Sequence, residues 1–469
     1  MRNKKILLGA LLAFIILRIP SLFEPHWYAD EGIYAAITYG IESGKLLYVN
    51  LWDNKPMLIY WLYGLGNPTN RIFVVKFINL LAGGMSLVGL HILLQYFKLS
   101  KRTLAIALGV AVILIGTPLI EGNIVNAENL FIPLVIFGYI SILRKNPLYA
   151  LSGLLFGLGF MLKFHPLFDY SAAILFLFVT RHKFRNICLS IVFFALPNIL
   201  QYIYLYFNGN LIQAFQTIFL NNYGYTQSFS YGVRSLPLKT LFLSLWLALL
   251  IYQYYQENIS KKMLFILFLV SFEAYAVLFG ARQYLHYMFQ LIPGAILLFA
   301  LLYQYVFSSE GIHKARYTSY SIAALLIFLR IFFYGEGTAV PQNVPSYYAQ
   351  FVEFSVGKKP YFLFPTEESL QNVQHTLEKY QTKNIFFYTN NPWIYDVLHI
   401  VPPAIIVAGY HRTFIGIDLF MNTLIDAKTD VIVMDINADN CEELNTYLSK
   451  EYIRTEQVEN YDVWVRAQR

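Results

Sequence analysis

The sequence predicts a polytopic α-helical membrane protein with a C-terminal extracytoplasmic α/β domain, on three observations. Only 13% of the 469 residues are charged and 57% are hydrophobic, whereas a soluble domain contains roughly 25% charged residues. Apolar runs long enough to cross a bilayer recur to about residue 334, which gives about eleven transmembrane helices. Beyond about residue 345, short apolar strands alternate with helical segments, as in α/β domains.

The apolar runs define the predicted transmembrane helices in chain order. They lie near residues 6–22, 72–97, 103–120, 130–143, 148–162, 167–180, 187–207, 237–255, 263–280, 288–306 and 318–334. The first run begins with basic residues, as a signal peptide would. It lacks a small-residue cleavage site before Arg18–Ile19–Pro20, so we interpret it as a retained span.

Basic residues are concentrated in alternate connections between these spans. The clusters are Arg2/Lys4/Lys5, Lys98/Lys101/Arg102, Arg144/Lys145, Arg181/His182/Lys183/Arg185, Lys261/Lys262 and His313/Lys314/Arg316. The positive-inside rule makes this side cytoplasmic, together with the N-terminus. Membrane orientation then accounts for the net charge of +7, and we expect no nucleic-acid partner. These patterns predict a multi-pass protein of the cell membrane (plasma or inner), with a lipid bilayer around it.

Two domains are predicted. Residues 1–340 form a transmembrane catalytic domain with a first outer loop over 23–71, and residues 341–469 form the extracytoplasmic α/β domain. In the outer loop, isoleucines recur every four residues from Ile33 to Ile41, which indicates a helix lying in the membrane interface. In the C-terminal domain, Asn384–Tyr388 and Asp430–Met434 are predicted as buried strands.

Two neighbouring carboxylates, Asp30 and Glu31, follow the first span at the outer membrane surface. One interpretation is that Asp30 caps the interfacial helix by accepting hydrogen bonds from its free backbone N–H groups. The other is general-base catalysis, in which a carboxylate removes a proton from an attacking hydroxyl. A single side chain can serve both roles, and we predict both residues to be catalytic.

The same loop ends in Trp52–Asp53–Asn54–Lys55–Pro56. A lysine at the membrane surface is commonly a snorkelling anchor. Alternatively, Lys55 is a point-charge ligand for a phosphate, with Pro56 fixing the chain where it returns to the membrane.

Four further ionisable residues fall on the predicted outer side. Arg282 and His286, which precedes Tyr287, are four residues apart and therefore share one helical face. Ionisable side chains at membrane depth cost free energy, so they tend to face a cavity. A pair of Arg and His there suits a phosphate group. Glu128 and Lys163 lie at the outer ends of two other spans. Each alone is commonly a helix cap or a lipid anchor, but together they add two charges to the same side.

In their order and sidedness, these motifs resemble the C-type glycosyltransferase superfamily. The resembling branch contains the dolichyl-phosphate-mannose protein mannosyltransferases and the aminoarabinose transferases that modify lipid A. The motifs are the Asp30–Glu31 pair, Lys55–Pro56, Glu128, Lys163-x-x-Pro166, Arg282-x-x-x-His286–Tyr287 and the outer C-terminal domain. The resemblance covers essentially the whole membrane region and implies the C-type glycosyltransferase fold.

The resemblance implies inverting transfer of a sugar from a polyprenyl-phosphate donor (undecaprenyl or dolichyl) to a hydroxyl of a protein, lipid or polysaccharide. It makes Asp30 the base, lets Glu31 shape the donor or acceptor site, and makes Lys55 the ligand of the donor phosphate. Arg282 and His286 assist. The remaining predicted substrate-binding residues are Glu128, Lys163, Asp53 and Tyr287.

The sequence departs from the family pattern at two positions. Relatives commonly have two prolines after the lysine, whereas Met57 follows Pro56 here. Some relatives bind a metal through an acidic residue directly before the Lys–Pro, where this chain has Asn54, with Asp53 one residue earlier. No cofactor is therefore required, and a divalent metal stays an open alternative.

Two other functions share some of these features. A ligase or polymerase for polyprenyl-linked glycans uses the same lipid chemistry but transfers longer chains. A lipid flippase or transporter also needs many spans and buried charges, but such proteins often show inverted repeats, and the sequence shows no such symmetry.

Overall fold

The computed structural model describes residues 2–221, 236–279, 284–308, 343–358 and 367–467. Two compact units make up the chain. The first comprises Met1–Ile19, Ile78–Leu200 and Thr226–Tyr347, and the second comprises Pro20–Phe77, Gln201–Tyr225 and Tyr348–Arg469. The second unit thus combines the predicted first outer loop with the C-terminal segment. The division predicted at residue 340 stays a prediction.

Helices dominate the chain up to residue 308. They are α1 (Arg2–Arg18), α2 (Ala29–Glu42), α3 (Leu58–Tyr63), α4 (Arg71–Tyr96), α5 (Lys101–Gly116), α6 (Ala127–Leu143), α7 (Tyr149–Phe160), α8 (Pro166–Val179), α9 (Phe184–Phe207), α10 (Leu211–Phe215), α11 (Leu236–Tyr255), α12 (Lys261–Phe279) and α13 (Ile292–Ser308). A 3-10 helix, Leu285–Leu291, leads into α13. A helix lies at every predicted span up to residue 308.

Among the described residues, six segments are long and apolar enough to cross a membrane. They are Asn3–Phe23, Arg71–Tyr96, Phe184–Phe207, Pro237–Tyr255, Lys261–Phe279 and Leu285–Phe307. The chain is therefore a multi-pass membrane protein. The predicted span at 318–334 lies outside the described residues, so the count of eleven stays a prediction.

Small residues let the membrane helices of the first unit pack closely. Gly153 and Gly157 of α7 lie directly against the backbone carbonyls of Ser190 and Phe194 on α9. A side chain at either glycine would collide with α9, and such close approach is typical of helix pairs in membranes. Pro166 begins α8, because its missing N–H has no partner at a first helical position.

In the second unit, α2 is buried over almost its whole length. Residues from Glu31 to Thr38 are all buried, and a Cβ on Gly32 would lie 2.7 Å from the backbone nitrogen of Trp393. The helix predicted from the isoleucine spacing therefore exists, but protein covers it. The residue before its first turn is Tyr28, whose side chain makes no capping hydrogen bond. Asp30 thus lies inside the first turn and not at the cap position.

The C-terminal segment contains a four-stranded sheet. Its elements are α14 (Val344–Ser355), α15 (Glu367–Glu378), β1 (Ile385–Tyr388), α16 (Trp393–Val397), α17 (Arg412–Ile415), α18 (Ile417–Ala427), β2 (Val431–Asp435), α19 (Glu442–Glu451), β3 (Tyr452–Val458) and β4 (Tyr461–Arg466). The strand order is β1-β2-β4-β3, with β1 parallel to β2 and the other neighbours antiparallel. The strands β1 and β2 lie where the sequence predicts them.

One residue of the predicted first outer loop belongs to the hydrophobic core that this sheet helps to form. Trp52 is 4% exposed and lies in the cluster formed by Phe386, Tyr388, Ile405, Phe420 and other apolar side chains. The burial of an indole of this size makes a large apolar contribution. The outer loop is therefore anchored in the C-terminal core.

Candidate functional site

The two neighbouring carboxylates have different surroundings. Glu31 is fully buried, and its Oε1 lies 2.8 Å from the Nζ of Lys76. The same ammonium donates a 2.8 Å hydrogen bond to Oε2 of Glu24, which is also buried. A buried carboxylate is tolerated when it is paired in this way. Glu31 therefore belongs to a buried ionic triad.

Asp30 is only partly buried and lies in the first turn of α2. The positive end of the helix dipole stabilises a negative charge at this position. Burial raises the pKa of the Tyr60 and Tyr63 phenols well above their usual range, and the nearby charge of Asp30 adds to the shift in each. Both phenols are thus neutral hydrogen-bond donors within the electrostatic reach of Asp30.

The Lys55 loop is held by short polar contacts. Asp53 is 3% exposed; its Oδ2 accepts a 2.7 Å hydrogen bond from the Tyr60 hydroxyl, and its Oδ1 accepts one from the Asn54 backbone. The Lys55 ammonium lies 3.7 Å from Oδ1 of Asp53 and donates to the Asn54 side chain at 2.7 Å. It also lies 5.8 Å from the centre of the Tyr34 ring. The lysine is turned toward these groups, and its side chain is only 20% exposed.

Tyr60 connects these two parts of the second unit. Its hydroxyl binds Asp53 beside Lys55, and its phenol responds to the charge of Asp30. Its ring also packs edge-on against Tyr34 at 6.2 Å. Tyr60 therefore binds Asp53, which neighbours Lys55, and lies within the electrostatic reach of Asp30.

A second cluster lies in the first unit. Lys163 donates a 2.5 Å hydrogen bond to Oε1 of Glu128, and its ammonium lies 4.0 Å from the centre of the Tyr287 ring. His286 Nδ1 lies 2.7 Å from Oε2 of Glu121. Glu128, Lys163 and His286 are all at most 6% exposed. Glu128, Lys163 and the adjacent His286 and Tyr287, predicted at three places along the sequence, thus form one charged and aromatic cluster.

Two predicted features of the site stay open. Arg282 lies outside the described residues, so its expected partnership with His286 stays a prediction. Within the part of the chain that the structure describes, no group of three or more His, Cys, Asp or Glu side chains is placed to hold a metal ion.

No protein-family model matches the chain, and no curated protein matches its sequence. Among solved structures, the chain is similar to the crystal structure of ArnT from Cupriavidus metallidurans in the apo state. The match covers 98% of each chain, with a TM-score of 0.53 and 12% sequence identity. The chain has the fold of ArnT. ArnT belongs to the C-type glycosyltransferase superfamily, so the fold that the resemblance implied is confirmed.

Three ionic residues that hold this ArnT-like fold together were not predicted from the sequence. Arg71, fully buried at the start of α4, contacts Asp396 at 3.0 Å and Glu42 at 2.7 Å. Lys76 holds Glu31, and Glu121 holds His286. Glu121 could have been found by the argument applied to Glu128, since it is an acidic residue at the end of the third predicted span. The roles of Arg71 and Lys76 depend on contacts between distant parts of the chain.

Proposed function

We propose that the protein is a membrane glycosyltransferase that moves a sugar from a polyprenyl-phosphate donor to an acceptor hydroxyl, with inversion, outside the cytoplasm. The arrangement around Tyr60 carries this proposal most directly. Asp30, a partly buried carboxylate, acts electrostatically on the neutral phenol of Tyr60. The hydroxyl of Tyr60 binds Asp53, which lies beside the mostly buried ammonium of Lys55. The ArnT fold over nearly the whole chain supports the same reaction class.

In the proposed reaction, Asp30 removes the proton from the acceptor hydroxyl. The acceptor oxygen then attacks the anomeric carbon of the sugar and forms the new glycosidic bond. The bond from that carbon to the phosphate oxygen breaks, and polyprenyl phosphate leaves with both bonding electrons. Attack opposite to the leaving group inverts the configuration. A well-placed general base typically contributes about 10²- to 10⁴-fold to the rate.

Lys55 would bind the donor phosphate and stabilise the additional negative charge that develops on it as it leaves. Preorganised charges are most effective in a site that excludes water, and the Lys55 ammonium is mostly buried among Asp53, Asn54 and Tyr34. The weak 3.7 Å contact with Asp53 leaves the ammonium able to bind a stronger anion.

We assign supporting roles to the other predicted residues. Glu31, bound to Lys76, would fix the first turn of α2 and so orient Asp30 instead of reacting itself. Glu128, Lys163, His286 and Tyr287 would contact the substrates as one cluster, and Arg282 would assist the donor phosphate. The donor would be a polyprenyl-phosphate monosaccharide, and the acceptor hydroxyl would belong to a protein, a lipid or a polysaccharide.

The proposal is tested with purified protein in vesicles and a panel of radiolabelled polyprenyl-phosphate monosaccharides. Transfer of label to an acceptor supports it. Movement of the lipid across the bilayer without transfer would indicate a flippase. Activity restricted to pyrophosphate-linked oligosaccharides would indicate a ligase or polymerase, and either result would overturn the proposal.

The Lys55→Ala variant tests the role of the lysine. Loss of a hydrogen bond to a charged group costs about 1.5–3 kcal/mol, so we expect the apparent KM for the donor to rise about tenfold or more, with little change in the KM for the acceptor. Lys45→Ala, in the same outer loop, is the control. An unchanged donor KM and rate in Lys55→Ala would identify Lys55 as a lipid anchor only.

A further inference from the structure

We infer that the C-terminal segment positions Lys55 for the donor phosphate, with Trp52 as the positioning residue. The inference rests on the proposed function and gives the C-terminal segment a part in donor binding. Trp52 lies three residues before Lys55, and its indole is 4% exposed within the C-terminal core. Its backbone N–H donates a 2.8 Å hydrogen bond to the carbonyl of Ile405. Both the side chain and the backbone of this residue are thus fixed by the C-terminal segment.

Ring contacts hold the indole from two further sides. Trp52 stacks on Phe414, with ring centres 5.8 Å apart and planes inclined by 16°. His411 meets the same indole edge-on at 5.0 Å and is itself 2% exposed. Aromatic pairs of these geometries are stabilising beyond the burial of their area. The anchor is therefore specific to an aromatic ring at position 52.

His411 also places the C-terminal segment close to the charged groups of the loop. Burial lowers the pKa of His411 to about 4, and the charges of Asp53 and Lys55 act on it in opposite directions. The imidazole is therefore neutral at physiological pH. An uncharged neighbour leaves the positive charge of Lys55 available for a phosphate, whereas a cationic neighbour would repel the ammonium.

Tyrosines of the outer loop fix the other end of this short stretch. The hydroxyl of Tyr48 donates a 2.7 Å hydrogen bond to the carbonyl of Lys55, and the hydroxyl of Tyr60 holds Asp53. With Trp52 in the C-terminal core, the stretch from 52 to 55 is held at three of its four residues: at Trp52 by backbone and side chain, at Asp53 by its carboxylate and at Lys55 by its carbonyl. Release of the Trp52 anchor would free one end, and a displacement of about 1 Å at a reacting group can cost about 10²-fold in rate.

The experiment uses the full chain in vesicles and compares Trp52→Ala, Trp52→Phe and Phe414→Ala. Trp464→Ala is the matched control, since it removes an indole that packs against the same core from β4. Hydrogen exchange of the 47–57 segment reports whether the loop is held. The donor KM and kcat report whether Lys55 is positioned.

We expect Trp52→Ala to increase exchange at residues 53–55 and to raise the donor KM about tenfold, equivalent to about 1.4 kcal/mol, with a smaller change in kcat. Trp52→Phe should restore both values. Phe414→Ala, which removes one ring contact of Trp52 but keeps the indole itself, should move both values in the same direction by a smaller amount. Trp464→Ala should leave both unchanged.

The inference is overturned if Trp52→Ala leaves either the loop exchange or the donor KM unchanged. It is also overturned if Trp464→Ala has an equal effect, because that effect would reflect general loosening of the core. Failure of the proposed function has a different outcome. In that case Lys55→Ala leaves donor use unchanged, whereas the exchange measurement still reports whether Trp52 holds the loop.

Discussion

At the scale of single residues, the adjacent carboxylates Asp30 and Glu31 have different surroundings. Glu31 shares the ammonium of Lys76 with Glu24, and all three side chains are almost completely buried. Asp30, one residue earlier, is only half-buried. The sequence predicts the pair but not this difference, because Lys76 lies far along the chain and inside an apolar run. A lysine in such a run is itself a signal for a buried acidic partner.

The triad gives a prediction about stability. In Lys76→Met, two buried carboxylates lose their shared cation, and breaking a buried ion pair by removal of one partner costs about 3–5 kcal/mol. We expect a clearly lower thermal unfolding temperature, measured by intrinsic fluorescence of the detergent-solubilised protein. Lys45→Met, at a partly exposed lysine of the same loop, should unfold like the unmodified protein. Equal unfolding temperatures for the two variants would contradict the structural role of the triad.

At the scale of elements, α2 is fixed by its contact with α16. The approach of Trp393 to Gly32 leaves no room for a Cβ, and the Arg71–Asp396 ion pair holds the other end of α16. The spacing of the isoleucines predicts α2 itself. It does not predict that α16 covers the helix. The ion pair that holds α16 joins Arg71 to Asp396, which lies 325 residues later in the chain.

The same substitution is expected to have different effects at Gly32, in the contact between α2 and α16, and at Gly84, which has open space around it. In Gly32→Ala, the new methyl group forces Trp393 away, and overpacking of this kind costs about 1–3 kcal/mol. In Gly84→Ala, on α4, no atom lies within 4 Å of the new Cβ. This change should be neutral or stabilising, because alanine favours a helix by about 1 kcal/mol over glycine. Thermal unfolding of both variants tests this pair, and equal effects would refute the close packing.

Burial of His411 predicts a pH dependence for the C-terminal segment. Its pKa in the folded protein is lowered to about 4, so the unfolded chain binds the additional proton first as the pH falls below about 6.5. The contribution of His411 to the free energy of unfolding is fully present above that pH. It decreases as the pH falls toward 4, by up to about 3 kcal/mol. In His411→Gln, the free energy of unfolding should depend less steeply on pH between 6.5 and 4. His375→Gln, at an exposed histidine, should not change this dependence, and an unchanged slope in His411→Gln would contradict the assignment.

At the scale of the whole molecule, hydropathy was sufficient to predict the six segments of the described residues that are long and apolar enough to cross a membrane. Burial in lipid imposes long apolar runs on the sequence. The strands β1 and β2 were also predictable, since both are continuously apolar. The hairpin of β3 and β4 was not, because β3 is largely exposed and carries charged residues such as Arg454 and Glu456. The packing of Trp52 in the C-terminal core could not be predicted either, since packing between distant segments leaves no local pattern in the sequence.

The charged clusters were predicted as members of one outer face, and the structure gives each a local geometry. Tyr60 binds Asp53 beside Lys55, while Lys163 and Glu128 meet beside Tyr287. Topology arguments could assign these residues to one side of the membrane. Their individual partners required the fold, which the chain shares with ArnT at only 12% identity.

The role of Asp30 as the base is tested by the Asp30→Asn variant. The change removes the negative charge and keeps the shape of the side chain. We expect single-turnover transfer from a radiolabelled polyprenyl-phosphate sugar to fall by about 10²-fold or more, with an unfolding temperature equal to that of the unmodified protein. A transfer rate close to that of the unmodified protein would contradict the account.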